Sequence, residues 1–151
     1  MRITEDFRDL LSLLEREGVR YLIIGGYAFS FHAVPRYTKD LDIWVDPASD
    51  NVRSANRALA EFGSPDLLAH DYPSMILQIG VEPNRIDLLL DVPGLTFAEA
   101  WKDRVRAAYG DKTVNWMGLD SLVKSKAASG RPRDSADVML LRKSRGDGRE
   151  S

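Results

Sequence analysis

The 151-residue sequence contains no cysteine and only two histidines. Disulfides and thiolate zinc are thereby excluded, and a metal held by imidazole nitrogens has little to draw on. No apolar run approaches the ~18 residues that a membrane-spanning helix needs. The N-terminus, Met1-Arg2-Ile3-Thr4-Glu5-Asp6, is charged throughout and does not have the pattern of a secretory leader. Together these absences point to a cytoplasmic protein in which any metal is bound by oxygen.

At 44% hydrophobic and 29% charged residues the composition is that of an ordinary globular chain. It predicts one domain over residues 1–145, with 146–151 as a frayed tail marked by Gly146 and Gly148. The formal charge of −2 argues against a generic nucleic-acid coating surface, yet it averages two unlike parts. From Lys124 to Arg149 eight Lys or Arg stand against three Asp, so this stretch is +5 and the remainder −7. A basic C-terminal face suits triphosphate or RNA phosphates; the plainer reading is a solvated helical tail.

The chain is organised around Tyr21 to Asp46. Tyr21 to Ile24 reads as a short buried strand that stops at Gly25-Gly26, and a helix follows from Tyr27 to about Ala33, ended by Pro35. Glycines at such a turn let a phosphate approach bare N–H groups at the positive end of a helix, although plain turn geometry gives the same pattern. On the next run, Asp40 and Asp42 share one strand face while Leu41, Ile43 and Val45 occupy the other. Two carboxylates about 7 Å apart at Cβ repel unless a cation lies between them, and hard oxygen donors suit Mg²⁺. A solvated strand end would look the same. A third carboxylate, Asp87, sits on an apolar run in which Leu88 and Leu90 face the core, so it can join the first two if the strands are neighbours. Asp91 has the same parity but reads as a turn residue.

The rest of the chain reads as scaffold. Thr4 caps a helix to Glu17 through Phe7, Leu10, Leu11 and Leu14, and Asp50 or Asn51 caps another to Phe62. Ser64 to Ser74 is a loop carrying His70 as a surface histidine. Met75 to Ile79 forms a hairpin with the Asp87 strand, Thr96 caps a short helix through Trp101, and two strands flank Gly110-Asp111. Leu119 to Ser129 and Pro132 to about Lys143 form a helical pair, with Asp134 and Asp137 on one face of the second helix. The fold class expected is α/β (α+β), a small mixed or antiparallel sheet with helices packed on it and that C-terminal pair.

Strand, Gly-Gly, helix, then Arg36-x-Thr38-x-Asp40-x-Asp42 and a later lone aspartate, Asp87, resembles the nucleotidyltransferase superfamily that includes polymerase beta and the antibiotic nucleotidyltransferases. The stretch Lys126-Ala127-Ala128-Ser129-Gly130-Arg131-Pro132-Arg133-Asp134, with Asp137 and Leu140-Leu141 after it, resembles the small bacterial branch related to AbiEii-type toxins. The likeness runs from about Tyr21 to Arg142. In the superfamily the first motif is commonly Gly-Ser; here Gly26 stands in the serine position.

The resemblance implies transfer of a nucleoside monophosphate from an NTP to an acceptor hydroxyl, using Mg²⁺ or Mn²⁺. Asp40, Asp42 and Asp87 would be the catalytic and metal-binding residues, with two ions held and Asp87 completing the second site. Gly25, Gly26, Arg36, Thr38, Lys126 and Arg131 would contact the nucleotide. Arg36 and Thr38 could equally anchor the loop into the Asp40 strand, and Lys126 and Asp134 could be charges favoured by helix ends. Asp134 and Asp137 are expected to hold the cations in place. Acceptors in keeping with the resemblance are an RNA or tRNA end, a protein or a small molecule, and partners are a cognate antitoxin or a second copy of the chain. The alternative is a non-catalytic module of the same fold that binds NTP or a partner.

Overall fold

The computed structural model describes residues 4–146, and the tail expected over 146–151 lies outside them apart from Gly146. The helix expected first is α1, Glu5–Arg16, whose N-cap Thr4 accepts from the Phe7 N–H at 3.3 Å. Its apolar stripe, Phe7, Leu10, Leu11 and Leu14, is fully buried. Then follow β1 (Tyr21–Ile24), α2 (Gly25–His32), β2 (Asp40–Val45), α3 (Ser49–Phe62), β3 (Ile76–Ile79) and β4 (Arg85–Leu89). The chain continues through α4 (Phe97–Lys102), β5 (Val105–Tyr109), β6 (Lys112–Trp116), α5 (Leu119–Ser129) and α6 (Pro132–Gly146).

The strands form one mixed sheet in the order β3-β4-β2-β1-β6-β5. The two hairpins expected, β3/β4 and β5/β6, are antiparallel pairs at its two ends. Between them β1 runs antiparallel to β2 and parallel to β6, and β2 runs parallel to β4. The chain thus adds β4 beside β2 only after α3 and the 63–75 loop have intervened, which places two strands distant in sequence next to each other. Helices α1 and α3 pack side by side, while α2 lies on β1 and β2 and meets α5 and α6. This is the mixed α/β architecture the sequence predicts. Among the described residues, no helix is long and apolar enough to cross a membrane.

Two expectations need correction. Helix α3 starts at Ser49 with Ala48 as an N-cap that makes no side-chain bond, so neither Asp50 nor Asn51 caps it. Asn51 is buried and its amide brackets the start of β1 instead, accepting from the Arg20 N–H at 2.8 Å and donating to the carbonyls of Arg20 and Asp46 at 3.1 and 2.9 Å. Three backbone groups matched by one buried side chain outweigh a helix cap worth about 1 kcal/mol. The second concerns α2, which begins at Gly25, two residues earlier than expected, so both glycines lie in its first turn.

Candidate active site

All four residues of β1 are buried, and the strand runs directly into α2 with Ile24 as the N-cap. An isoleucine has no side-chain acceptor, so the first-turn N–H groups receive no side-chain cap. Gly25 has φ +67°, and a Cβ there would be driven into the Asp42 carboxylate. Both facts require glycine: the left-handed backbone and the close approach of a carboxylate to the helix start.

The register of the sheet assembles the carboxylates. Ile24 is paired with Asp42 across β1/β2, and Asp42 with Asp87 across β2/β4. Adjacent strands lie about 4.8 Å apart, so Asp42 and Asp87 stand side by side at the end of β1 where α2 begins. Asp40 follows two residues before Asp42 on the same face. The structure therefore brings together the three aspartates singled out in the sequence. That face does not stay polar along β2, because Trp44, the next residue of the same parity, is buried against the ring of Phe97 in α4 at 5.2 Å. The carboxylates occupy the open end of a face closed behind them.

Arg85 completes the cluster, and sequence reading passed over it. It pairs in register with Asp40 and lies two residues from Asp87 on β4, so its guanidinium reaches both. Nη2 donates to Asp40 Oδ2 at 2.7 Å, Nε to Asp87 Oδ1 at 3.1 Å, and Nη2 also to Asp87 Oδ2 at 3.3 Å. The i, i+2 parity of Arg85 and Asp87 was visible in the sequence; the pairing with Asp40 needed the strand register. Asp40 Oδ1 is left buried with no hydrogen-bond partner. Burial pushes the Asp42 carboxyl up to about 7, aided by repulsion from Asp87 and Asp40, while Arg85 pulls the other way. Asp87 is raised as well, by burial first, with Arg85 opposing it.

Among the described residues, no three carboxylate or histidine side chains stand so as to enclose a metal ion. The donors nonetheless suit a hard cation: an unpartnered buried carboxylate oxygen on Asp40 shares a strand face with an Asp42 carboxyl whose pKa is raised by burial and then by its like-charged neighbours.

The residues expected to touch phosphate fall into two groups. Lys126 and Arg131 line a cavity of about 390 Å³ together with Gly25, Ser125 and Ser129, so the cations face the start of α2. Lys126 Nζ is held by Asp137 at 2.9 Å and Asp134 at 3.4 Å, and Arg131 Nε by Asp134 at 2.7 Å. Burial alone would raise Asp134 and Asp137, but hydrogen bonds from Ser129 and Arg131 to the first, and from Arg36 and Lys126 to the second, hold both carboxyls below their usual range. Arg36 is not among the residues lining that cavity; it lines another, beside Tyr37 and Thr38. Its guanidinium forks onto Asp137 at 2.8 and 3.2 Å and stacks 3.7 Å from the Phe29 ring centre. Of the two roles left open for Arg36, its contacts are those of a loop anchor.

Thr38 occupies the space that a side chain at position 26 would need. A Cβ on Gly26 would lie 2.8 Å from Thr38 Cγ2 and 3.0 Å from its Oγ1. The Thr38 side chain therefore stands directly against position 26. Gly26→Ser alone is expected to cost about 1–2 kcal/mol by overpacking. In a Thr38→Ala background that cost should largely disappear, a coupling of about 1 kcal/mol measurable by thermal unfolding of the four proteins. Additive effects would show that Thr38 is not what excludes the side chain.

Solved structures with the same architecture exist at low sequence identity. A protein of Thermotoga maritima assigned as a nucleotidyltransferase superposes with a TM-score of 0.63 at 17% identity, covering 93% of this chain and 90% of that one. The antibiotic-resistance factor ANT(2″)-Ia, in complex with adenylyl-2″-tobramycin, gives 0.62 at 15% identity over 93% and 88% of the two chains. The lincosamide antibiotic adenylyltransferase LnuA, bound to lincomycin, gives 0.61 at 17% over 94% and 98%. No curated protein sequence matches the chain closely enough to count as a relative. At family level the match is direct: residues 1–141 fit the family described as nucleotidyltransferase of unknown function, DUF6036, and the chain belongs to that family.

Proposed function

We propose that this protein transfers a nucleoside monophosphate from an NTP to an acceptor hydroxyl. The observation that carries this reading is the row Ile24, Asp42, Asp87, which sets a half-buried and a buried carboxylate against the glycine-built, uncapped start of α2. The N–H groups of that first turn, with Lys126 and Arg131 across the 390 Å³ cavity, take the triphosphate. Mg²⁺ or Mn²⁺, when bound through Asp40 and Asp42, supplies the charge that draws the phosphates to the carboxylates. The acceptor oxygen bonds to the α-phosphorus as the bond to pyrophosphate breaks, and the hydroxyl proton passes to a carboxylate of the trio. Lys126, oriented by Asp134 and Asp137, meets the charge that grows on the leaving pyrophosphate.

The acceptor side is supported by a second cavity, of about 670 Å³, beside Thr38. Tyr27, Phe31, Tyr37 and Trp116 line it, with Phe31 and Trp116 stacked at 4.5 Å, and no carboxylate does. Such a lining favours an acceptor that presents a flat ring over a polycation. The stretch from Lys126 to Asp137 supports placing the chain near the AbiEii-type branch, and with it a toxin role and an RNA end as acceptor.

Transfer of label from each α-labelled NTP, with Mg²⁺ or Mn²⁺, to RNA, to the protein itself and to cell extract tests the reading. Label is expected only when Asp40 and Asp42 are intact. Folded protein that binds NTP and labels nothing would favour a non-catalytic binding module.

A further inference from the structure

The geometry points to a site for one divalent ion, in which the Arg85 guanidinium takes the place of the second cation; we propose this as an extension that rests on the reading of the trio as the transfer site. Both oxygens of Asp87 and one of Asp40 are taken by Arg85. The oxygens that remain are Asp40 Oδ1, buried and unpartnered, and the Asp42 carboxylate. These two groups share a strand face, and the Asp42 carboxylate lies against Gly25. Arg85 is 29% exposed at its side chain and Asp87 12%, so the pair is sheltered enough for its charge to count. A guanidinium so placed cancels much of the negative charge that would otherwise draw a second ion to Asp87.

Arg85 is then a positioning residue. It fixes the Asp87 carboxylate by two parallel N–H···O contacts and ties β4 to β2 through Asp40, directly beside the open oxygens. The consequence is a different division of labour from the two-ion scheme that the sequence suggests: Asp40 and Asp42 hold the metal, and Asp87 holds Arg85.

Counting bound Mn²⁺ by loss of the free-ion electron paramagnetic resonance signal tests this, with the metal alone and with the non-hydrolysable analogue AMPCPP, each against a blank without protein. Wild type is expected to hold one Mn²⁺ and Arg85→Gln two. Asp87→Asn is expected to keep the single ion, bound more weakly through the lost charge, since Asp87 is not its ligand. Two ions in wild type, none in wild type, one in folded Arg85→Gln, or loss of the ion in Asp87→Asn would each overturn the inference. Should Arg85→Gln not fold, wild type and Asp87→Asn decide alone. Failure of AMPCPP to bind while Mn²⁺ alone is held as expected would count against adenylyl transfer and leave the cation count standing.

Discussion

Asp42→Asn is expected to reduce nucleotidyl transfer on the order of 10³-fold or more while making the metal-free protein more stable. The two effects have one origin. Asp42 is pushed up to about 7 from 3.8 by burial and by the carboxylates of Asp87 and Asp40. Between those values the folded chain keeps a proton that the unfolded chain has lost, so stability falls as pH rises from about 4 to about 7 and stays low above it. The full shift corresponds to a loss on the order of 4 kcal/mol, roughly two-thirds of it between pH 5 and pH 8. Thermal unfolding in EDTA at pH 5 and pH 8 should show a wild-type midpoint lower by roughly 5–10 °C at pH 8. Asparagine removes most of this slope, with the raised Asp87 carboxyl retaining some of it. Divalent ions should recover the wild-type midpoint at pH 8 and do little for the variant. A variant destabilised across the whole range would mean that Asp42 is not held against repulsion.

Asp137→Ala should be the most destabilising single change on the cationic side, at about 3–5 kcal/mol. Asp137 is 3% exposed at its side chain and pairs with Arg36 and Lys126, themselves 24% and 14% exposed. Truncation leaves two sheltered cations without a common anion, next to the ring of Phe29. Urea unfolding measures the loss, and Asp137→Asn, which still accepts one hydrogen bond, should lose clearly less. The pH dependence runs opposite to that of Asp42. A carboxyl held below 3.8 contributes stability that is present above its unfolded pKa and is lost as pH falls through the folded one. The two limbs together place maximum stability of the metal-free protein near pH 4–5. An Asp137→Ala protein as stable as wild type would remove Asp137 as the hub of this cluster.

The parts of the site carried by local alternation could be read from sequence, and those set by register or by long-range pairing could not. Asp40 and Asp42 on one face follow from the two-residue period of a strand, and Asp87 from the same period on an apolar run. Their meeting required β4 to lie beside β2, which the family likeness implied and local pattern did not. Arg85 was overlooked because an arginine at a strand start is ordinarily solvated; only its place opposite Asp40 makes it a bridge. The hold of Asp134 and Asp137 on Lys126 and Arg131 was expected from the sequence, but Arg36 reaches the same Asp137 from 101 residues away, and nothing local reports such a distance. Asn51 misled in another way, since its residue type fits a helix cap and its burial decided otherwise.

The grip of Asp137 on Arg36 has a temporal side. The strand that bears Asp40 and Asp42 is made early in synthesis, whereas α6 is the last of the described elements to leave the ribosome. Until it docks, the loop that leads into β2 lacks its ion-pair tether to Asp137, and Lys126 lacks its orienting anions. A nascent chain would hold its three aspartates before Arg36 and Lys126 are tied down, and the cluster around Asp137 would close in one step as α6 docks.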